Sequence, residues 1–210
     1  MTNASQETLI IFTRYPEPGQ TKTRLIPALG TEGAANLQKK LTEYTLTEAS
    51  KLGVNLRVYF SGGNETLMQR WLGENYQYYR QREGDLGEKL IAALEESFTA
   101  DVAKIVIIGI DCPDLDAAII KQAFAELNHQ DLVLGPAEDG GYYLIGLRSC
   151  LPELFQGIDW GTDVVLKQTI SIAEKKGLNI HYLPMFNDLD TPEDIEKSGL
   201  LKAIQAEENY

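Results

Sequence analysis

The sequence predicts a three-layer α/β fold, in which helices cover both faces of a mainly parallel, mixed central sheet. Three observations predict it. Short β-rich runs alternate with helical stretches along the chain, the pattern of strands joined by crossover helices. Residues 105–108 are apolar at every position, as a central strand buried on both faces must be. Two later β-runs, 131–135 and 142–147, are separated by only a handful of residues. That gap is too short for a helical crossover, so this pair is antiparallel or joined by an irregular turn. With 210 residues the chain can bury one substantial core and is read as a single domain spanning 1–210.

The first strand is 8–13, followed by a loop over 14–27. A helix over about 31–52 carries Leu37, Leu41 and Tyr44 on one stripe, with Gly53 as its stop. Strand 54–60 follows. Asn64 caps a short helix bearing Leu67, Met68, Trp71 and Leu72, closed by Gly73. Residues 76–80 form a third strand. Gly84-Asp85-Leu86-Gly87 opens the next helix, whose Leu86, Leu90, Ile91, Leu94 and Phe98 keep the spacing of a buried face. The central strand is 104–110. In the helix after Pro113, Leu115, Ile119, Phe124 and Leu127 face inward, with Asp114 as cap. Beyond the antiparallel pair, Thr162 caps a helix to about Lys176 and 178–185 is a last strand. Thr191-Pro192-Glu193-Asp194 then opens the final helix, with Thr as cap, Pro at the first position and acids in the first turn.

Composition excludes several functions. A net charge of −12 repels nucleic acid and anionic membranes, which bind clustered Lys and Arg, so a phosphate ligand must be small and locally held. The longest apolar run, 105–110, is far short of the roughly 20 residues of a membrane span, and the polar start over 1–7 lacks the apolar core of a leader. A cytoplasmic protein is expected. Cys112 and Cys150 are the two cysteines, without CxxC spacing or a nearby His; they read as reduced and structural. His129 and His181 have no sequence partners, and Trp160 suits either the core or stacking on a base or sugar.

In an open parallel sheet, ligands bind outside the carboxyl ends of the strands, and the unusual residues lie in those loops. In the loop after the first strand, prolines stiffen the backbone while Lys22 and Arg24 supply donors suited to phosphate, Arg as a fork and Lys as a point charge. It is not a P-loop, because Thr21 stands where glycine should precede the lysine. After the central strand, Asp111 is placed either to hold Mg²⁺ or Mn²⁺ bridging two phosphates or to cap the next helix. In 135–142, Gly140 and Gly141 allow close ligand approach and Glu138 or Asp139 can serve as general base, unless the segment is simply a hairpin turn. Asp188 and Asp190 follow the last strand; one of them can complete the metal shell opposite Asp111, or both favour the positive end of the closing helix.

The succession PEPGQTKTRL, QREGDLGEKL, GIDCPDL, GPAEDGGYYLIGL and FNDLDTPEDI resembles, over nearly the whole chain, a bacterial family of glycosyltransferase-A-like proteins. Its members are known as arsenosugar-biosynthesis glycosyltransferases or as uncharacterised proteins, within the nucleotide-diphospho-sugar transferase superfamily. The resemblance implies that superfamily's fold and four assignments. Lys22 and Arg24 grip phosphates; Gly84, Asp85 and Gly87 lie near the nucleotide; Asp111 is the metal acid at the end of the central strand; Asp190, in LDTPED, is the second metal acid, with Asp188 its rival. Asp139 is on the acceptor side. The glycine-rich opening loop of the superfamily's nucleotidyltransferases is replaced here by prolines and threonines. This favours a metal-dependent glycosyltransferase, using Mg²⁺ or Mn²⁺ to move a sugar from a nucleotide-sugar to a small acceptor. Nucleotidyl transfer from an NTP with release of pyrophosphate, and a non-catalytic nucleotide-binding protein, are the alternatives. The reading leaves room for a homodimer.

Overall fold

The computed structural model describes residues 6–198, so most of the polar start lies outside the described residues. Seven strands form one sheet in the order β3-β2-β1-β4-β6-β5-β7. β1 (Glu7–Arg14) pairs in parallel with β2 (Asn55–Ser61) and β4 (Lys104–Ile108), and β2 with β3 (Gln77–Arg80). β6 (Tyr142–Leu147) is antiparallel to both β4 and β5 (Leu132–Pro136), while β7 (Ile180–Tyr182) is parallel to β5. Every strand except β6 therefore points the same way. The loops that follow β1, β4, β5 and β7 emerge along one edge.

Successive side chains of a strand face opposite sides, and β1 feeds two cores accordingly. Leu9 and Ile11 pack with Leu37, Leu41, Met68 and Phe124, from α1 (Ile26–Ser50), α2 (Glu65–Leu72) and α4 (Ala117–Glu126). Ile10 packs on the other face with Leu90, Leu94 and Ala173, from α3 (Leu86–Ser97) and α5 (Val165–Lys175). Burying both faces is why β4 reads as an unbroken apolar run.

Local chemistry sets most boundaries and shifts a few. Gly30 (φ 72°, ψ 172°) breaks α1, so the long helix proper starts at Thr31. Asn64 caps α2 through Leu67 N–H, 3.0 Å. The cap of α4 is Asp116, accepting from Ile119 N–H at 3.0 Å, and not Asp114, because the chain first makes a turn in which Leu115 N–H reaches Cys112 O. Thr162 does not cap α5. Its hydroxyl donates to Asp159 O, and the start of α5 is met instead by Gly140, whose carbonyl accepts from Leu166 N–H at 2.9 Å. β7 is shorter than expected, since Pro136 on the facing strand has no N–H to continue the ladder; pairing resumes beyond it, where Phe186 N–H donates to Pro136 O. α6 (Pro192–Ser198) opens as the sequence indicates.

Candidate functional site

The loop after β1 is folded on itself before it reaches its basic residues. Tyr15 N–H is tied to Ser61 O, and Glu17 and Gln20 N–H close internal turns. Thr21 and Leu25 are buried on either side of Lys22. Lys22 itself takes a left-handed backbone (φ 43°, ψ 47°), which turns its side chain inward. Its Nζ donates to Leu189 O at 2.6 Å and lies 2.7 Å from Asp111 Oδ1 and 3.4 Å from Asp190 Oδ1. Arg24 stays 74% exposed and reaches only the rim, its Nη1 3.9 Å from Asp190 Oδ2.

The two acids arrive on separate loops that are fastened together. Leu189 N–H donates to Asp111 O at 2.8 Å, so the residue between Asp188 and Asp190 is pinned by its backbone to the loop after β4. Asp194 fixes the other end of that segment: its Oδ2 accepts from the N–H of Asp190 and from both the N–H and hydroxyl of Thr191. Burial works against the charge on Asp194, and these bonds overcome it, holding its carboxyl below the usual carboxylate range. Asp139 sits beyond, its Oδ1 accepting Gly141 N–H at 2.8 Å, and Glu138 is exposed beside it.

These acids act on one another. Burial pushes the Asp111 carboxyl up, Lys22 opposes the rise and Asp190 adds to it; 40% of the Asp111 side chain nevertheless faces the open cleft. Asp188 is pushed up to about 7 by burial first and then by Asp111, Asp139 and Asp190. Its Oδ1 is enclosed without a hydrogen-bond partner. A sealed, unpartnered carboxylate oxygen within a group of acids is a donor set that fits a hard divalent cation. Among the described residues, no three acid, His or Cys side chains already surround one point. Lys22 stands between Asp111 and Asp190 instead.

Two cavities meet at Asp188. One, about 260 Å³, is walled by Phe12, Leu86, Leu90, Tyr142 and Tyr143, with Asp111 and Asp188 at its polar end. The other, about 270 Å³, is polar and bordered by Arg24, Glu138, Asp139, Asp190 and Thr191.

A family model described as an uncharacterized protein conserved in bacteria (DUF2064) matches residues 45–162, more than half of the chain. The chain belongs to the DUF2064 family. No curated protein matches it. Among solved structures, a candidate nucleotide-diphospho-sugar transferase from Desulfovibrio desulfuricans G20 is 34% identical, with TM-score 0.85, covering 89% of this chain and 83% of its own. The inositol-1-phosphate CTP transferase from T. maritima has TM-score 0.61 at 15% identity, covering 92% and 93%. Rv0371c from Mycobacterium tuberculosis H37Rv, solved with manganese, has TM-score 0.58 at 17% identity, covering 92% and 97%. The last two share the fold. The structural neighbours of this DUF2064 protein thus include transferases, and its α/β architecture is theirs.

Not every residue singled out in the sequence faces the cleft of the DUF2064 protein. Asp85 is the cap of α3, its carboxylate accepting Glu88 N–H at 2.8 Å while the Glu88 carboxylate accepts Asp85 N–H in return. Gly84 leaves room for that Glu88 side chain, and Gly87 for Trp160 and the Phe155 carbonyl; each serves close packing around the helix start. Trp160 meets Tyr142 edge-on. Gly140 (φ 87°) passes against the Asp163 backbone where no Cβ fits. Leu86, expected on the buried face of α3, is 43% exposed because it forms the mouth of the apolar cavity. Sequence reasoning missed the cavity's aromatic wall, since Phe12, Tyr142 and Tyr143 look like ordinary strand residues. It also passed over Gly109, which is exposed at the end of β4 with open space where a Cβ would stand. Cys112 is pushed up to about 12 by burial and the nearby Asp188, so the thiol stays protonated and inert.

Proposed function

We propose that this DUF2064 protein is a metal-dependent glycosyltransferase, moving a sugar from a nucleotide-sugar to a small acceptor. One observation carries the reading: a cation from the loop after β1 and carboxylates from the loops after β4 and β7 converge on one point at the carboxyl edge of the sheet. In this reading Asp111, Asp188 and Asp190 hold Mg²⁺ or Mn²⁺, which stabilises the charge developing on the leaving diphosphate. Lys22 and Arg24 steady the same phosphates. The donor's bond between anomeric carbon and phosphate oxygen breaks, its electron pair leaving with the nucleoside diphosphate, while the acceptor oxygen bonds to the anomeric carbon. Asp139 keeps Oδ2 for the acceptor's proton, because Oδ1 is spent on Gly141, and Glu138 is the nearby alternative. Gly140 and Gly141 hold this acid loop.

The internal turns that use Glu17 and Gln20 N–H leave the β1 loop fewer backbone donors for a triphosphate, which supports glycosyl over nucleotidyl transfer. The test is incubation with UDP- and GDP-sugars, and separately with NTPs and sugar phosphates, under Mg²⁺ or Mn²⁺. Release of nucleoside diphosphate from a nucleotide-sugar is expected. Pyrophosphate release from an NTP would replace this reading with nucleotidyl transfer, and nucleotide binding without turnover of any donor would replace it with a binding protein. Asp111→Ala is expected to abolish metal-dependent nucleotide affinity; unchanged affinity would remove the cation site.

A further inference from the structure

Lys22 is the only non-glycine residue with a positive φ among the described residues. A lysine has no conformational reason to adopt that backbone, and such outliers persist where the surroundings impose them. Here the imposed conformation carries the side chain inward until it is 5% exposed. The ammonium then has three oxygens around it, those of Leu189, Asp111 and Asp190, for its three N–H donors. It is saturated by contacts to two loops that lie far from it in the sequence.

Those carboxylates are also the hard donors that a divalent cation takes, at about 2.1 Å for Mg²⁺. An ion bound to Asp111 Oδ1 therefore lies within about 5 Å of Nζ, where two positive centres repel strongly in a partly desolvated site. Nζ already occupies Asp111 Oδ1 and Asp190 Oδ1, so a divalent cation that takes these oxygens competes with it.

We propose that Lys22 is an exchangeable counter-ion. Its ammonium keeps Asp111 and Asp190 together in the cation-free protein, and it leaves them when a divalent cation enters. The released ammonium then meets the diphosphate that the cation carries. Cation and diphosphate binding are coupled through this one side chain: the cation alone must displace an ammonium without compensation, whereas the cation with a diphosphate gives that ammonium a new partner. The inference rests on the cation site proposed above.

The test is Mn²⁺ titration of the full chain, followed by electron paramagnetic resonance, alone and with inorganic pyrophosphate as a base-free diphosphate probe. Wild type is expected to bind Mn²⁺ weakly alone and more tightly with pyrophosphate. Lys22→Met is expected to bind Mn²⁺ alone on the order of tenfold more tightly, with pyrophosphate adding little. Lys22→Gly is the second variant, because glycine accepts the left-handed backbone without strain and preserves the loop if methionine does not. Thermal melting verifies that each is folded. If wild type binds Mn²⁺, Asp111→Asn abolishes that binding, and neither Lys22 variant binds more tightly, the exchange is overturned while the cation site stands. If wild type and the variants all fail to bind Mn²⁺, both are overturned.

Discussion

Replacing Asp188 by asparagine should stabilise the protein at neutral pH, although it removes a residue from the centre of the site. The carboxyl is half-buried, one oxygen is sealed without a partner, and burial together with Asp111, Asp139 and Asp190 raises it to about 7. The unfolded chain releases the same proton near 3.8. Between these values the folded state binds more protons than the unfolded, so stability falls as pH rises through that window. The interval is roughly three pH units, each worth about 1.36 kcal/mol, so keeping Asp188 ionised above pH 7 costs up to about 4 kcal/mol. The amide of the Asp188→Asn variant escapes this cost while nearly preserving shape. Urea unfolding of both proteins in chelator from about pH 4.5 to 8.5 measures it. The variant's advantage should be about 1 kcal/mol at the acid end and reach about 4 kcal/mol by pH 8. Saturating Mn²⁺ should reverse the order, because only the carboxylate gains from a cation. A wild type as stable as Asp188→Asn at pH 8 without metal, or a difference independent of pH, would refute the argument.

Gly140→Ala should lower stability by at least about 2 kcal/mol in chemical denaturation, since it combines an unfavourable positive φ with a collision against the Asp163 backbone. Gly109→Ala should change stability by less than about 0.5 kcal/mol because its Cβ enters open space. Gly109→Leu should still melt near wild type while weakening nucleotide-sugar binding, measured calorimetrically, by protruding beside Asp111. Asp85→Ala should cost about 1 kcal/mol in thermal melts through loss of the capping box, and Asp85→Ser should recover most of it.

The fold was largely legible because its determinants are local or periodic. The apolar run of β4, the glycine stops, Asn64 and the Thr-Pro-Glu-Asp start of α6 each signal through neighbouring residues. The short gap between β5 and β6 ruled out a helical crossover and left an antiparallel pair or an irregular turn, and the pair is antiparallel. Caps were less secure: Asp114 and Thr162 have suitable side chains, but a preceding turn and a distant carbonyl, respectively, decided where α4 and α5 begin. Asp85 shows the opposite ambiguity, since a polar residue at a loop that meets the cleft is spent on its own helix.

By itself the sequence determined which residue types stand at the ends of which strands, and hence that basic and acidic side chains gather along one edge. That follows from strand direction, which the alternation of strands and helices dictates. Tertiary structure decided which of them touch. The left-handed turn at Lys22, the Leu189–Asp111 backbone bond and the sealing of Asp188 depend on loops far apart in the chain being packed together. The protonation of Asp188 and the partners of Lys22 are set by desolvation and distances of a few ångström, which no sequence spacing encodes.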